Sequence, residues 1–285
     1  MDEKGSGRSE EKRKKFVIEG KKSVEMKMTK GRVRILSVLE KWGILGLGQM
    51  DGILFEGQME QMERMNLFFN SKPRDGYRGM TYKAVSRIED LGLVKAHSYT
   101  NLALVYTLTA KGHGALRKEG LNKLPSYCPE VAETLVRHEL TVSATGLVMA
   151  EVLGLRVWTE LERYLLSAAG NKKTGRKDFG LSDLWIEDVE QPKAIEVERT
   201  QKSAKRYAAL WENYRSELPP NGVVLYIVCF PGGAERLRKR AEKLRADHVY
   251  FCSLEDFRTS FGRGPFIGYR GGEITLGIPA AGGHA

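Results

Sequence analysis

"DLWIEDVEQPKAIEVERTQKSAKRY", Asp183 to Tyr207, is the stretch on which the fold turns. Two short runs that mix apolar and acidic residues flank a turn at Val189 to Pro192, and a basic helix follows. Side chains alternate across a strand, so Leu181, Asp183 and Trp185 share one face of the first run, and Ala194, Glu196 and Glu198 share one face of the second. A tight turn sets Asp183 roughly opposite Glu196. Carboxylates gathered this way repel at neutral pH unless some are protonated or a cation neutralises them.

Upstream, "PEVAETLVRHELTVSATGLVMAEVLG" (129–154) predicts a long helix that buries Val131, Leu135, Val142, Gly146, Met149 and Leu153. Glu139 falls at the edge of that stripe, where an unpaired charge is costly and needs a partner. If Glu139 packs over the hairpin, its carboxylate joins the other acids, and an all-oxygen set of this kind suits Mg²⁺ or Mn²⁺ rather than zinc. The "HEL" at 138–140 is no zinc-protease motif, because the second histidine position is Val142. "LRVWTELE" (155–162) predicts the strand before the hairpin, with a basic loop "NKKTGRKDFG" between them. After the hairpin come a helix opened by Thr200 that packs Ala204, Tyr207, Trp211, Tyr214 and Leu218, and the buried strand 223–230. The helix "AERLRKRAEKLRA", the strand "HVYFCS", a short helix and the hairpin "PFIGYRGGEITLGI" complete the series.

The first half reads differently. Residues 1–28 have the composition of a disordered basic arm. "TKGRVRILSVLEKWG" (29–43) spaces Ile35, Val38, Leu39 and Trp42 as a helix ended by Gly43, and a short helix covers "QMDGILFEG". Met59, Met62 and Met65 then fall on one side of the next segment as core packing. Beyond a turn-rich connection, helix 80–91 carries Val85, Ile88 and Leu91 on one side and Lys83, Ser86 and Arg87 on the other. Gly92 ends it, "LVKAHS" and "LALVYTLT" read as strands around a polar tip, and "AKGHGALRKEG" starts another helix.

The 285 residues are enough for two domains, and 41% hydrophobic with 29% charged residues describes a globular chain. A net charge of +10 favours a polyanionic partner, either nucleic acid or an anionic membrane surface, and no amphipathic basic helix stands out to support a membrane. With no apolar run long enough to span a bilayer and no secretory signal, the expectation is a cytoplasmic protein with no membrane partner. Cys128, Cys229 and Cys252 lack any C-x-x-C spacing and read as reduced thiols.

Helix, helix, helix, strand, wing, strand is the order of a winged helix-turn-helix, and "RIEDLGLV…YTLTAKG" resembles that family. The resemblance implies that helix 80–91 enters the major groove, with Tyr82, Lys83, Ser86 and Arg87 meeting bases or phosphates. It implies that Arg74, Arg78, Lys95 and His97 grip the backbone from loop and wing. Winged helices also dock proteins, which keeps that alternative open. The second half, helix–strand–strand–strand–helix–strand with "RHEL", "LSDLWIE" and "AIEVERTQKSAKRY", resembles the PD-(D/E)xK nuclease superfamily. The whole chain over about residues 30–260 is similar to the bacterial replication-relaxation family of plasmids and other mobile elements.

These resemblances imply an α/β (α+β overall) chain with a winged helix-turn-helix at 29–124, a PD-(D/E)xK-like domain with a mixed sheet at 128–262, and a hairpin and Gly-rich tail at 263–285. Duplex DNA would be the partner, with replication or mobilisation proteins and a second copy of the chain as further ones. Glu139 would be the helix acid, Asp183 the motif aspartate and Glu196 the second acid, together holding Mg²⁺ or Mn²⁺ for phosphodiester hydrolysis. Glu198 stands where the superfamily has lysine and would ligate the metal or orient the water, Lys202 or Lys205 from the following helix would supply the cation, and "LSD" replaces the usual Pro-Asp. A degenerate, non-catalytic nuclease fold, its acids paired with Arg199, Arg206 and nearby lysines, is the alternative.

Overall fold

The computed structural model describes residues 28–55, 57, 59–69, 78–100, 102–121, 132–163, 182–187 and 191–277. Arg74, Cys128, Val131, Leu181, most of the arm, the loop 171–180 and the boundary at 124–128 lie outside them. The chain is mixed α/β with a small antiparallel sheet and a larger mixed one.

Helix α1 (Lys30–Trp42) starts where the Thr29 hydroxyl accepts from the Arg32 N–H and stops at Gly43, whose φ of 75° needs a residue without Cβ. It buries Ile35, Leu36, Leu39 and Trp42. Strand β1 (Ile44–Gly46) follows; at three buried residues it is too short to show an alternating pattern. Then come α2 (Leu47–Leu54), α3 (Gln61–Phe69), α4 (Arg78–Asp90), β2 (Val94–His97), β3 (Val105–Leu108) and α5 (Ala110–Lys118). The three strands pair antiparallel in the order β1-β3-β2. The buried Thr81 hydroxyl donates to the buried Asp51 carboxylate, which ties α4 to α2 and fixes the direction of its exposed face. Arg78 opens α4 rather than lying in the preceding loop. Of the three methionines expected in the core only Met65 is buried; Met62 lines an open cleft of about 720 Å³ between α3 and the segments 228–232 and 253–259.

Helix α6 (Glu133–Leu147) runs into one π-helical turn, Val148–Val152. Gly146, Met149 and Leu153 of the expected stripe are buried, but earlier in the helix the buried side is Val136, Leu140 and Ala144, with Val142 half-buried and Leu135 53% exposed. The first part of the stripe shifts because α6 is wedged between two partners. The Gln49 amide donates to Leu140 O at 3.0 Å, and the Ser143 hydroxyl donates to Trp42 O at 3.2 Å. Gly146 lies so close beneath the Trp42 ring that a Cβ there would come within 2.1 Å of it. One hydrophobic cluster therefore runs from Leu36 and Met50 through Ala144 and Leu147 to Ile195 and Leu225.

The larger sheet contains β4 (Val157–Thr159), β5 (Leu184–Ile186), β6 (Lys193–Glu198), β7 (Val223–Val228), β8 (Val249–Ser253), β9 (Phe266–Gly268) and β10 (Glu273–Ile274). Its order is β10-β9-β8-β7-β6-β5-β4, with β6, β7 and β8 parallel and the remaining pairs antiparallel. Helix α7 (Ala204–Glu217) links β6 to β7, α8 (Gly233–Leu244) links β7 to β8, and the short α9 (Leu254–Thr259) leads on to β9. Alternation along β6 and β7 separates two packed faces. Ile195, Leu225 and Ile227 join the α6 cluster, while Ala194, Val224 and Tyr226 pack with Tyr207, Trp211 and Tyr214 of α7.

Two sequence-based expectations change at the helix starts. Ser203, not Thr200, caps α7 by accepting from the Arg206 N–H. The strand expected over 155–162 ends at Thr159, whose hydroxyl accepts from the Glu162 N–H at 3.2 Å while its own N–H donates to the Glu162 carboxylate at 2.8 Å. That reciprocal capping turns the chain into a helix at Glu160. An amphipathic basic helix does exist: α8 buries Leu237 and Ala241 and exposes arginines and lysines. Its small apolar side made it inconspicuous in the sequence. Among the described residues no helix is long and apolar enough to cross a membrane.

Candidate functional site

Leu184 pairs with Ile195 across β5 and β6, so one residue earlier Asp183 stands opposite Glu196. Thr159 pairs with Leu184 across β4 and β5, which by the same step brings Glu160 opposite Asp183. Three acids from adjacent strand ends thus form a row, and α6 delivers His138 and Glu139 to it. Asp183 is the hub. Its Oδ1 lies 3.1 Å from His138 Nε2, and its Oδ2 accepts the Val197 N–H at 2.7 Å.

The electrostatics follow from this crowding. Burial raises the Glu139 carboxyl above its ordinary range; the Asp183 charge adds to that and His138 opposes it. Glu160, exposed at the first position after β4, is raised by partial desolvation of its carboxyl and by the charges of Asp183 and Glu139, against His138. Glu196 is pushed up to about 8, by burial first and by Asp183 second, against the hydrogen bond from Tyr214 and the charge of Lys202. The hydrogen bond to Asp183 raises His138, outweighing burial. Among the described residues no lysine or arginine makes an ion pair with Glu139, Glu160, Asp183 or Glu196.

The remaining carboxylate has a different environment. Glu198 is buried and bonded to the Lys202 ammonium, four residues on. Lys202 is thus the lysine that reaches back, while Lys205 lies exposed on the first turn of α7 and makes no ion pair among the described residues. Among the described residues Arg199 and Arg206 form no ion pair with the acids. Glu196 is held by the Tyr214 hydroxyl, which donates to its Oε1.

The donor set is chemically suited to a hard divalent cation: it is carboxylate oxygen throughout and short of cationic partners. Among the described residues no three His, Cys, Asp or Glu side chains stand close enough to hold one ion. Glu139 and Glu196 flank Asp183, whose two oxygens already accept protein hydrogen bonds.

His138, Glu160 and Tyr214 are the members that sequence reasoning passed over. Glu160 was hidden by extending β4 too far, whereas the Thr-x-x-Glu of 159–162 is a helix-start signature that would have placed it. On α4, Tyr82, Lys83 and Arg87 are exposed and Ser86 half-buried, opposite the buried Val85 and Ile88. Lys95 is exposed on β2. His97 is less available than expected, since its Nε2 lies 2.8 Å from Thr107 Oγ1 and its ring stacks on Tyr99. No protein-family model matches the chain, and no curated protein matches its sequence.

Proposed function

We propose that the chain is a DNA-binding protein of the replication-relaxation kind, from a plasmid or other mobile element. In this reading a winged helix-turn-helix grips duplex DNA and a PD-(D/E)xK-like half hydrolyses phosphodiester bonds with Mg²⁺ or Mn²⁺. The order α6-β4-β5-β6-α7-β7, with β4 to β6 antiparallel and β6 to β7 parallel, supports the nuclease-like half. Helices α1 to α4 leading into the β2–β3 hairpin support the other. The observation that carries catalysis is the juxtaposition of Asp183 with Glu196, next to Glu139, without a lysine or arginine among the described residues ion-paired to any of them.

Asp183, Glu196 and Glu139 would hold the ion once their side chains closed around it, and when bound it supplies an activated water and a counter-charge for the reacting phosphate. Lys202, fixed by Glu198, adds positive charge at the margin of the site. Tyr214 and the Val197 N–H orient Glu196 and Asp183 respectively.

A second reading, a non-catalytic DNA-binding regulator, is favoured by one observation: Asp183, Glu196 and Glu198 are each satisfied by protein donors. Incubating the protein with plasmid DNA and either metal separates the two. Catalysis predicts nicking or degradation that Asp183→Ala and Glu196→Ala abolish; DNA bound yet intact under both metals at several salt concentrations establishes the regulator.

A further inference from the structure

Arg199, Lys205, Arg206, Arg236, Arg240 and Lys243 have no carboxylate partner among the described residues. Other cations of α7 and α8 do. Arg215 pairs with Glu212 at 3.2 Å, Lys239 with Glu235 at 3.6 Å, and Arg238 also bonds Glu235. The difference follows the helix faces, because Arg236, Arg240 and Lys243 succeed one another at four and three residues along α8.

Two of these arginines are nevertheless fixed in place. Arg236 donates to Pro231 O at 2.8 Å and lies 5.5 Å over the Phe230 ring. Arg240 donates to Lys202 O at 3.3 Å and lies 5.3 Å over the Tyr207 ring. A guanidinium held by neutral carbonyls and ring faces keeps its whole charge, and its remaining N–H donors are available to an anion.

The same bonds make the cations contiguous. The Arg240 bond joins α8 to the start of α7, where Lys205 and Arg206 are exposed. The Cys229 N–H donates to Glu198 O at 2.9 Å, joining the end of β6, beside Arg199, to the turn carrying Phe230 and Pro231. Arg199, Arg236 and the start of α7 therefore cluster at the carboxyl ends of the parallel strands β6 and β7, and Arg240 and Lys243 continue the row along α8 toward its other end. At the margin of the patch Lys202 meets Glu198 of the carboxylate site.

We propose that this patch is a phosphate-backbone track for duplex DNA, separate from α4 and running beside the carboxylate site. It rests on the proposal that the chain binds DNA. Counterion release from the duplex would reward each unpaired cation. A bilayer fits less well, because Leu237 and Ala241 are fully buried and only Leu244 among the large apolar residues of α8 is exposed.

The test uses the full chain, with Lys205→Gln, Arg206→Gln and Lys243→Gln combined; all three side chains are exposed and without ion pairs among the described residues, so folding does not depend on them. Duplex affinity is measured by fluorescence anisotropy over a salt series. The expected result is an affinity roughly tenfold or more weaker at low salt, with the slope of log K against log salt reduced by about 0.9 for each phosphate no longer neutralised. Wild-type slope and affinity in the triple variant, with weaker binding by Lys83→Ala/Arg87→Ala, overturn the track and leave α4 as the element that grips DNA. A wild-type chain that binds no duplex overturns both. Binding to phosphatidylserine vesicles that the triple variant loses, with duplex affinity unchanged, overturns the track in favour of a membrane surface.

Discussion

His138 Nε2 and Asp183 Oδ1, 3.1 Å apart, join α6 to the start of β5. Removing that carboxylate costs more at low pH than at high pH. Asp183→Ala leaves the Val197 N–H without its acceptor, a loss of about 1–3 kcal/mol. His138 is raised by Asp183, so the stability it contributes is present below its ordinary value and lost as pH rises through the folded one. Glu196 is raised to about 8, so between its ordinary value and 8 the folded chain holds a proton that the unfolded chain has lost, and stability falls as pH rises. At pH 6 the variant loses both the acceptor and the imidazolium's partner; at pH 9 it also escapes repulsion of ionised Glu196. Urea denaturation should show a larger cost at pH 6 than at pH 9, and the reverse order would refute the coupling.

The pair Lys202 and Glu198 makes a second case. Glu198 is 2% exposed, and Lys202→Met strands its charge, costing roughly 3 kcal/mol or more. Adding Glu198→Gln should recover most of that loss. A double-mutant cycle with additive losses would show that the two side chains do not depend on each other.

Gly146→Ala tests the junction beneath Trp42. The new Cβ falls 2.1 Å from the indole, so the ring or α6 must shift. The expected loss is about 1–3 kcal/mol, read as a lower midpoint in denaturant. An unchanged midpoint would mean that α6 is less tightly seated than this close approach requires.

His248 sets a separate acid limit. Burial lowers its affinity for protons, and its Nε2 lies 2.9 Å from Trp211 O. Because the unfolded chain takes up the proton first, the stability this residue contributes is lost as pH falls below about 6.5. His248→Gln should show a smaller drop between pH 7 and pH 5 than the wild type; equal drops would assign the acid limit elsewhere.

Much of the architecture could be read from periodicity. The alternation in 183–198 predicted the register that sets Asp183 against Glu196, and the strand pairing agrees. Apolar spacing located α1, and Gly43 its end. The failures have physical causes. Leu135 and Met62 have helical spacing and apolar side chains, but whether they are buried depends on what packs against α6 and α3, which local pattern does not contain. Strand β1 is three residues long and owes its existence to pairing with β3. The partners of the acids were illegible for a similar reason: Tyr214 looked like core and His138 like part of a rejected zinc motif, and only tertiary packing brings them to Glu196 and Asp183.

The seating of α6 has a geometric consequence. One end of a single rod is pinned to the first half through Gln49 and Trp42, and the same rod presents His138 and Glu139 to Asp183. If α4 reads a DNA sequence and the acids sever a bond, the offset between the two would be a constant number of base pairs. The chain would then work as a ruler.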